Sequence, residues 1–284
     1  MPVDPTVLSN WEFAPVSQSY DARDAILYAL GVGLGKDPLD AHELQYVYEQ
    51  DLATLPTFAV TLSTLGMWVR DPATGITWKK LVHSSQKSTF HKPLPAAAKV
   101  LGHARISDIW DRGEEKGAVI VVERKIHDAD SGDCYCTLEQ TLMLRADGGF
   151  GGNSPPPPAV TIPERDPDKV SYHQTSPGQA ILYRLNGDWN PLHVDPQVAS
   201  QAGFTQPILH GYCSYGIAGW EVCQAAAQDC AQLKQLECQF SGPVIPGDEL
   251  IFKFWEDSAN VWIFQASVND KLVLNRGRAV FTAQ

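Results

Sequence analysis

The chain repeats itself once, and that repeat limits its fold more than any other feature. AILYAL (Ala25–Leu30) returns as AILYRL (Ala180–Leu185), 155 residues on. LPTFAV (Leu55–Val60) is answered by QPILHG (Gln206–Gly211), with prolines 151 apart, and FHKPLP (Phe90–Pro95) by FSGPVIP (Phe240–Pro246), with phenylalanines 150 apart. Three anchors in one order at nearly constant spacing describe two copies of one module. Between the copies lies ADGGFGGNSPPPPAV (Ala146–Val160). Its glycines and consecutive prolines can continue neither a helix nor a central strand, so an exposed linker is expected there. The expected domains are residues 1–150 and 151–284.

Each copy opens on a helical or irregular stretch and then turns apolar, at LPTF in the first and at QPILHGYCSYGIAGWEVCQAAAQ in the second. The latter is alanine-rich with apolar residues at helical spacing, which predicts a long buried helix starting near His210. GAVIVVERKIHD, CYCTLEQTLMLR, ELIFKFWED, NVWIFQASVND and KLVLNRGRAVFTA alternate and are rich in β-branched and aromatic residues, so they are expected to be antiparallel strands. The expected class is α+β, with a long helix and a strand meander occurring twice and each sheet wrapping its own helix.

The two copies differ where it matters for chemistry. In YRLNGDWNPLHVDP (Tyr183–Pro196), Asp188 falls opposite Gly33, Asn190 opposite Gly35 and His193 opposite Pro38. The apolar frame is kept while the polar groups stand in the second copy alone. Asp and Asn serve ordinary turns, but a turn common to both copies would have kept them in both. Asp188, Asn190 and His193 are therefore candidate catalytic residues. The 284 residues, 44% of them hydrophobic, suffice for a sizeable core. A formal net charge of −11 without a basic stripe argues against nucleic acid as a partner. The six cysteines show no CxxC spacing, and MPVDPTVLSNWEF does not read as a secretory signal. Reduced, buried thiols in an intracellular protein are expected. No apolar run approaches the roughly 20 residues that span a bilayer, so no membrane partner is expected.

YRLNGDWNPLHVDP followed by AGFTQPILHGYC closely resembles the MaoC-like R-specific enoyl-CoA hydratases, and most nearly the hydratase 2 domain of peroxisomal multifunctional β-oxidation enzymes. ILYALGVG, LPTF, KPLP and GGFGG extend the resemblance through the first half. It implies a double hot dog fold and a reversible hydration of trans-2-enoyl-CoA to (3R)-3-hydroxyacyl-CoA, the acyl-CoA thioester being substrate and no cofactor or metal being required. It assigns water activation to Asp188 and His193, positioning to Asn190 and an oxyanion-binding backbone N–H to Gly211. Glu49, in YVYEQD, matches an acidic position and is a secondary substrate-site candidate. The first module is implied to accommodate the acyl tail, and a homodimer is implied. VHSSQ (Val82–Gln86) departs from the HGEQ common among relatives. The compartment implied is the peroxisome, although VFTAQ is not an SKL-type address, which leaves the cytoplasm open.

Other readings of the same residues are weaker. A thioesterase of the same fold would release free CoA, and a non-catalytic acyl-CoA-binding module would bind without turnover. GVGLG (Gly31–Gly35) follows a helical stretch and lacks GxGxxG spacing, so it is not a dinucleotide loop. His193 and Asp195 have no third metal ligand at a useful spacing, and Asp195 with Pro196 reads as a helix start. His210 reads as structural. His42, His83, His91, His103, His127 and His173 read as isolated, on surfaces or satisfied locally. Phe58 and Trp68 read as core before tunnel lining. No GxSxG elbow or Cys–His pair supports nucleophilic hydrolysis.

Overall fold

The computed structural model describes residues 2–157 and 159–282. Its strands are β1 (Val16–Tyr20), β2 (Leu81–Phe90), β3 (Ala98–Asp111), β4 (Ala118–Asp128), β5 (Cys134–Leu144), β6 (Lys169–Gln174), β7 (Leu233–Phe240), β8 (Glu249–Ser258), β9 (Val261–Val268) and β10 (Lys271–Phe281). They form one sheet in the order β1-β3-β4-β5-β2-β7-β10-β9-β8-β6. Exchanging β1–β5 for β6–β10 leaves this order unchanged when read from the other end. The repeat in sequence is therefore a twofold in space. The halves join at β2 and β7, where Lys87 lies directly opposite Glu237, its own counterpart 150 residues on. The pseudo-axis passes through that pair, and the fold is the double hot dog expected.

A central helix, Gly211–Ala226, packs against β6–β10 of the sheet. It is apolar almost all round, the pattern of a helix buried on every side, and its residues from Cys213 to Cys223 are all buried. Two glycines permit the close packing. A Cβ on Gly216 would come within 2.5 Å of Tyr28 Oη, and one on Gly219 within 2.7 Å of Thr57 Cγ2. The helix thus docks onto the first half as well as its own.

That first half has no matching helix, which corrects the expectation of one in each copy. LPTFAV forms only the 3-10 segment Pro56–Thr61. Ser63 then turns into left-handed backbone at φ 48°, and Gly66 and Gly75 also take positive φ, so the chain winds on in short turns to β2. The stretch from Ala146 to Val160 also differs from expectation, because its front is buried. Asp147 accepts hydrogen bonds from Thr77 N (3.0 Å) and Thr77 Oγ1 (2.6 Å). The Asp111 carboxylate gathers the N–H groups of Gly113, Gly149 and Gly151. Gly151–Ser154 are exposed as expected. Phe58 packs in the main core against Tyr20 and Tyr28, and Trp68 against Trp11 and Phe13 in a second cluster. The cysteines are free, five of them buried.

Candidate active site

The loop that carries Asp188 and His193 is built from caps. After the 3-10 segment Arg184–Asn186, Gly187 turns the chain at φ +105°, a conformation that favours glycine. Asp188 Oδ1 then accepts from Asn190 N at 3.1 Å. Asn190 Oδ1 accepts from Leu192 N at 3.2 Å, capping the turn Pro191–His193 with proline at its first position. Asp195 caps the next helix, Pro196–Gln201, as its sequence implied. His193 is buried, Asp188 is half-buried and Asn190 is exposed.

His193 has one ring nitrogen committed and one free. Its Nδ1 lies 2.8 Å from Ile208 O; a carbonyl only accepts, so Nδ1 holds the proton and Nε2 is bare on the neutral ring. Burial holds the imidazole below its ordinary pKa, opposed by the Ile208 bond and the Asp188 charge. The ring is neutral at pH 7.

His210 stacks on it, ring centroids 3.8 Å apart at 29°. His210 Nε2 donates to Asp188 O at 3.3 Å, while Nδ1 is buried without a partner. Burial, then the neighbouring His193, push its pKa down to about 4. Asp188, His193 and His210 each bring one donor atom within 4.8 Å of the other two, so folding supplies the third group that sequence spacing did not. One nitrogen of each ring is committed to a backbone carbonyl, which leaves one free on each.

Gly211 opens the central helix, and His210 at its N-cap supplies no side-chain cap. Cys213 N and Ser214 N bond back to His210 O. The N–H groups of Gly211 and Tyr212 have no partner within the helix, and the helix dipole adds positive potential beside the histidines. A Cβ at Gly211 would lie 3.3 Å from Phe240 Cε1. Packing and access to the N–H therefore both call for glycine.

The first half reaches into this site from across the pseudo-axis. His83 on β2 sits between Tyr212 (4.9 Å) and Phe240 (4.7 Å). Its Nε2 donates to Ser85 O at 3.0 Å. Burial lowers its pKa to about 4, with the Ser85 bond and the Asp188 charge acting against that. Tyr212 Oη donates to Gln86 Oε1 at 3.0 Å. His83 is thus satisfied locally, as expected, yet it is a wall of the site.

His173 is neither isolated nor on the surface. Its Nδ1 pairs with Glu221 Oε1 at 2.9 Å, Glu221 Oε2 accepts from Ser171 Oγ at 2.6 Å, and Lys36 Nζ lies 3.3 Å from His173 Nε2. This buried group ties β6, the central helix and the first half together. Glu49 lies exposed in the turns after Tyr46, and no contact with the Asp188 cluster is found for it among the described residues.

A histidine ring, a carboxylate and the N-terminus of the central helix thus lie together in a fused pair of hot dog modules. A MaoC like domain matches residues 158–274 and an MFE-2 hydratase 2 N-terminal domain residues 18–146. Enoyl-CoA hydratase ChsH3 of Mycobacterium tuberculosis is 36% identical, over 90% of this chain and 91% of that one. The peroxisomal enoyl-CoA hydratase 2 of Arabidopsis thaliana is also 36% identical, over 89% and 87% of the two chains. A crystal structure of a MaoC-like dehydratase from Phytophthora capsici superposes with a TM-score of 0.86 at 29% identity, covering 99% of this chain and all of that one. The chain belongs to the MaoC-like hydratase 2 family.

Proposed function

We propose that the protein is a lyase that adds water to a trans-2-enoyl-CoA to give (3R)-3-hydroxyacyl-CoA, reversibly and without metal or redox cofactor. One observation carries this reading. Asp188, His193 and His210 each bring one oxygen or nitrogen within 4.8 Å of the others, His210 precedes Gly211 at the start of the central helix, and the first copy has glycine and proline where Asp188 and His193 stand.

Water sits between the Asp188 carboxylate, which accepts one of its hydrogens in a hydrogen bond, and His193 Nε2. As the water oxygen bonds to Cβ, His193 takes the other proton and the C=C electrons move toward the thioester oxygen. The Gly211 N–H binds that oxygen as it becomes enolate; removing such a donor costs roughly 3–4 kcal/mol in known cases. The proton held by His193 then passes to Cα, so the product has gained one water and the site is restored. Asp188 offsets the imidazolium charge meanwhile, and Asn190 positions water or substrate at the mouth. Such proton transfer contributes about 10²–10⁴-fold. Residues 151–284 carry the chemistry. Residues 1–150, with a 3-10 turn in place of a helix, leave room for the acyl tail. Glu49 keeps a secondary role in substrate binding on the resemblance alone.

The test is loss of the conjugated thioester absorbance when purified protein meets crotonyl-CoA and a longer enoyl-CoA, with chiral analysis of the product. Unchanged turnover in Asp188→Ala and His193→Ala would remove the mechanism, and free thiol released in step with the absorbance would make the protein a thioesterase. The relative named for the peroxisome supports that compartment here, to be checked by imaging the tagged chain. No helix among the described residues is long and apolar enough to cross a membrane. A homodimer follows from the resemblance, and light scattering reads it.

A further inference from the structure

The first half encloses a cation that nothing in it neutralises. Arg124 stands on the inner face of β4, opposite Ala104 on β3 and Leu138 on β5. Its Nη2 donates to Val60 O at 2.9 Å, while its Nε is buried without a partner. It enters no ion pair among the described residues. Burial lowers its pKa, opposed by the Tyr212 phenol and the Cys136 thiol and by no carboxylate. An enclosed charge is costly to a fold unless it is paired. A guanidinium offers a planar fork of N–H donors that fits a carboxylate, and one carbonyl leaves most of that fork unused. The residue as a whole is half-buried, so part of it stays open to a ligand.

Its place in the fold points to the substrate tail. Val60 belongs to the 3-10 segment Pro56–Thr61, which stands where a first helix was expected. The guanidinium therefore lies against the part of the first half that leaves room for the tail. Sheet register ties this place to the start of the central helix. Val122, Gln140 and Gln86 share one row across β4, β5 and β2, and Gln86 Oε1 accepts from Tyr212 Oη, next to Gly211. Arg124 is on the same face, one row further along. With strands about 4.8 Å apart and rows about 6.7 Å apart, its Cα is about 12 Å from that of Gln86. Ser63 adds a second polar group without a partner, its buried Oγ. It packs on Gly102, which pairs with Ile126, two residues from Arg124 on the same face.

We infer that Arg124 selects the substrate, an enoyl-CoA that carries a second carboxylate at the far end of its acyl chain. That carboxylate docks on the Arg124 guanidinium, on the side of Ser63. The inference rests on the hydratase reading for the thioester end and adds the chemistry of the tail. A methyl-ended chain reaching the same place would shut the guanidinium further from water and give it no partner. A carboxylate there forms a charge-assisted pair.

The test compares matched trans-2-enoyl-CoA pairs, from octenoyl to dodecenoyl, ending in methyl or in carboxylate. Hydration rates are read for wild type, Arg124→Lys and Arg124→Met. The wild type should favour the carboxylate end by at least about tenfold in kcat/KM at the best chain length. Arg124→Met should reverse the order, losing rate with the carboxylate end and gaining it with the methyl end, and Arg124→Lys should keep part of the preference. Both substrates meet the same protein, so impaired folding, or a lost contact to the CoA phosphates, lowers both rates and leaves their ratio unchanged. The same ratio in wild type and Arg124→Met overturns the inference, as does a wild type that favours the methyl end at every length. Titration calorimetry with decanoyl-CoA and decanedioyl-CoA, which have no double bond to hydrate, reads the same preference as binding. If no enoyl-CoA is turned over, the hydratase reading falls, and the calorimetric ratio still decides whether Arg124 selects the tail.

Discussion

His83 links the acidity of the medium to stability in a way that can be calculated. Its ring, enclosed by Tyr212 and Phe240, has its pKa lowered from 6.5 to about 4, first by burial. The unfolded chain therefore binds the proton more readily than the folded one between those values. Stability is fully present above the unfolded pKa, falls as pH drops through that window and levels off below about 4. Each pKa unit corresponds to about 1.4 kcal/mol, so the limiting loss is about 3 kcal/mol, of which about 2 kcal/mol falls between pH 7 and pH 5. Other groups titrate in the same range, and the informative quantity is a difference. Urea unfolding of wild type and His83→Asn at pH 7 and pH 5 gives four free energies. The wild type should lose about 2 kcal/mol more than the variant over that interval. Equal losses in the two proteins would refute the claim that His83 is held neutral by its surroundings.

Asp188→Asn and His193→Asn should each lower kcat/KM for crotonyl-CoA by about 10²–10⁴, and the double variant by much less than the product, because the two act on one water. The acid limb of the kcat/KM profile should fall below the ordinary imidazole pKa near 6.5, since activity needs neutral His193 and burial lowers its pKa. Gly216→Ala should destabilise by about 1–3 kcal/mol in urea, because the new Cβ meets Tyr28 Oη at 2.5 Å and Val32 Cγ1 at 2.6 Å. Adding Tyr28→Phe should restore part of that loss.

Features that depend on local chemistry were legible in the sequence. The long helix from His210, the strands β4, β5, β8, β9 and β10, and the cap at Asp195 follow from periodicity and capping residues. Comparison of the copies isolated Asp188, Asn190 and His193 without recourse to structure. Features that depend on one half meeting the other were not legible. His83 and Gln86 join the site only because β2 pairs with β7 in a particular register. Glu221 reads as a lone acid inside an apolar helix until β6 brings His173 and Ser171 to it. The missing first helix was misjudged because LPTFAV is apolar enough to begin one, and the reversal at Ser63 lies just beyond the matched motif.

The residues on the pseudo-axis favour unlike halves over like ones, although the Lys87 ammonium itself bonds Glu139 at 2.7 Å. Lys87 faces Glu237 there, in a ladder where like charges directly opposite each other are unfavourable. Burial raises the pKa of Glu237, and the Lys87 charge opposes that more than Arg278 does. If the second half paired with its own copy, Glu237 would stand against Glu237 and Tyr212 would lose Gln86. The central helix would also lose the cover of Tyr28 and Thr57 at Gly216 and Gly219. Residues 159–284 expressed alone should therefore be inactive and aggregate through the bared β7 edge. Co-expression with residues 1–157 should recover crotonyl-CoA hydration. In Glu237→Lys the isolated half should remain just as unpaired, since lysine would then oppose lysine. A folded, active homodimer of the second half alone would show that the axis pair does not select the partner.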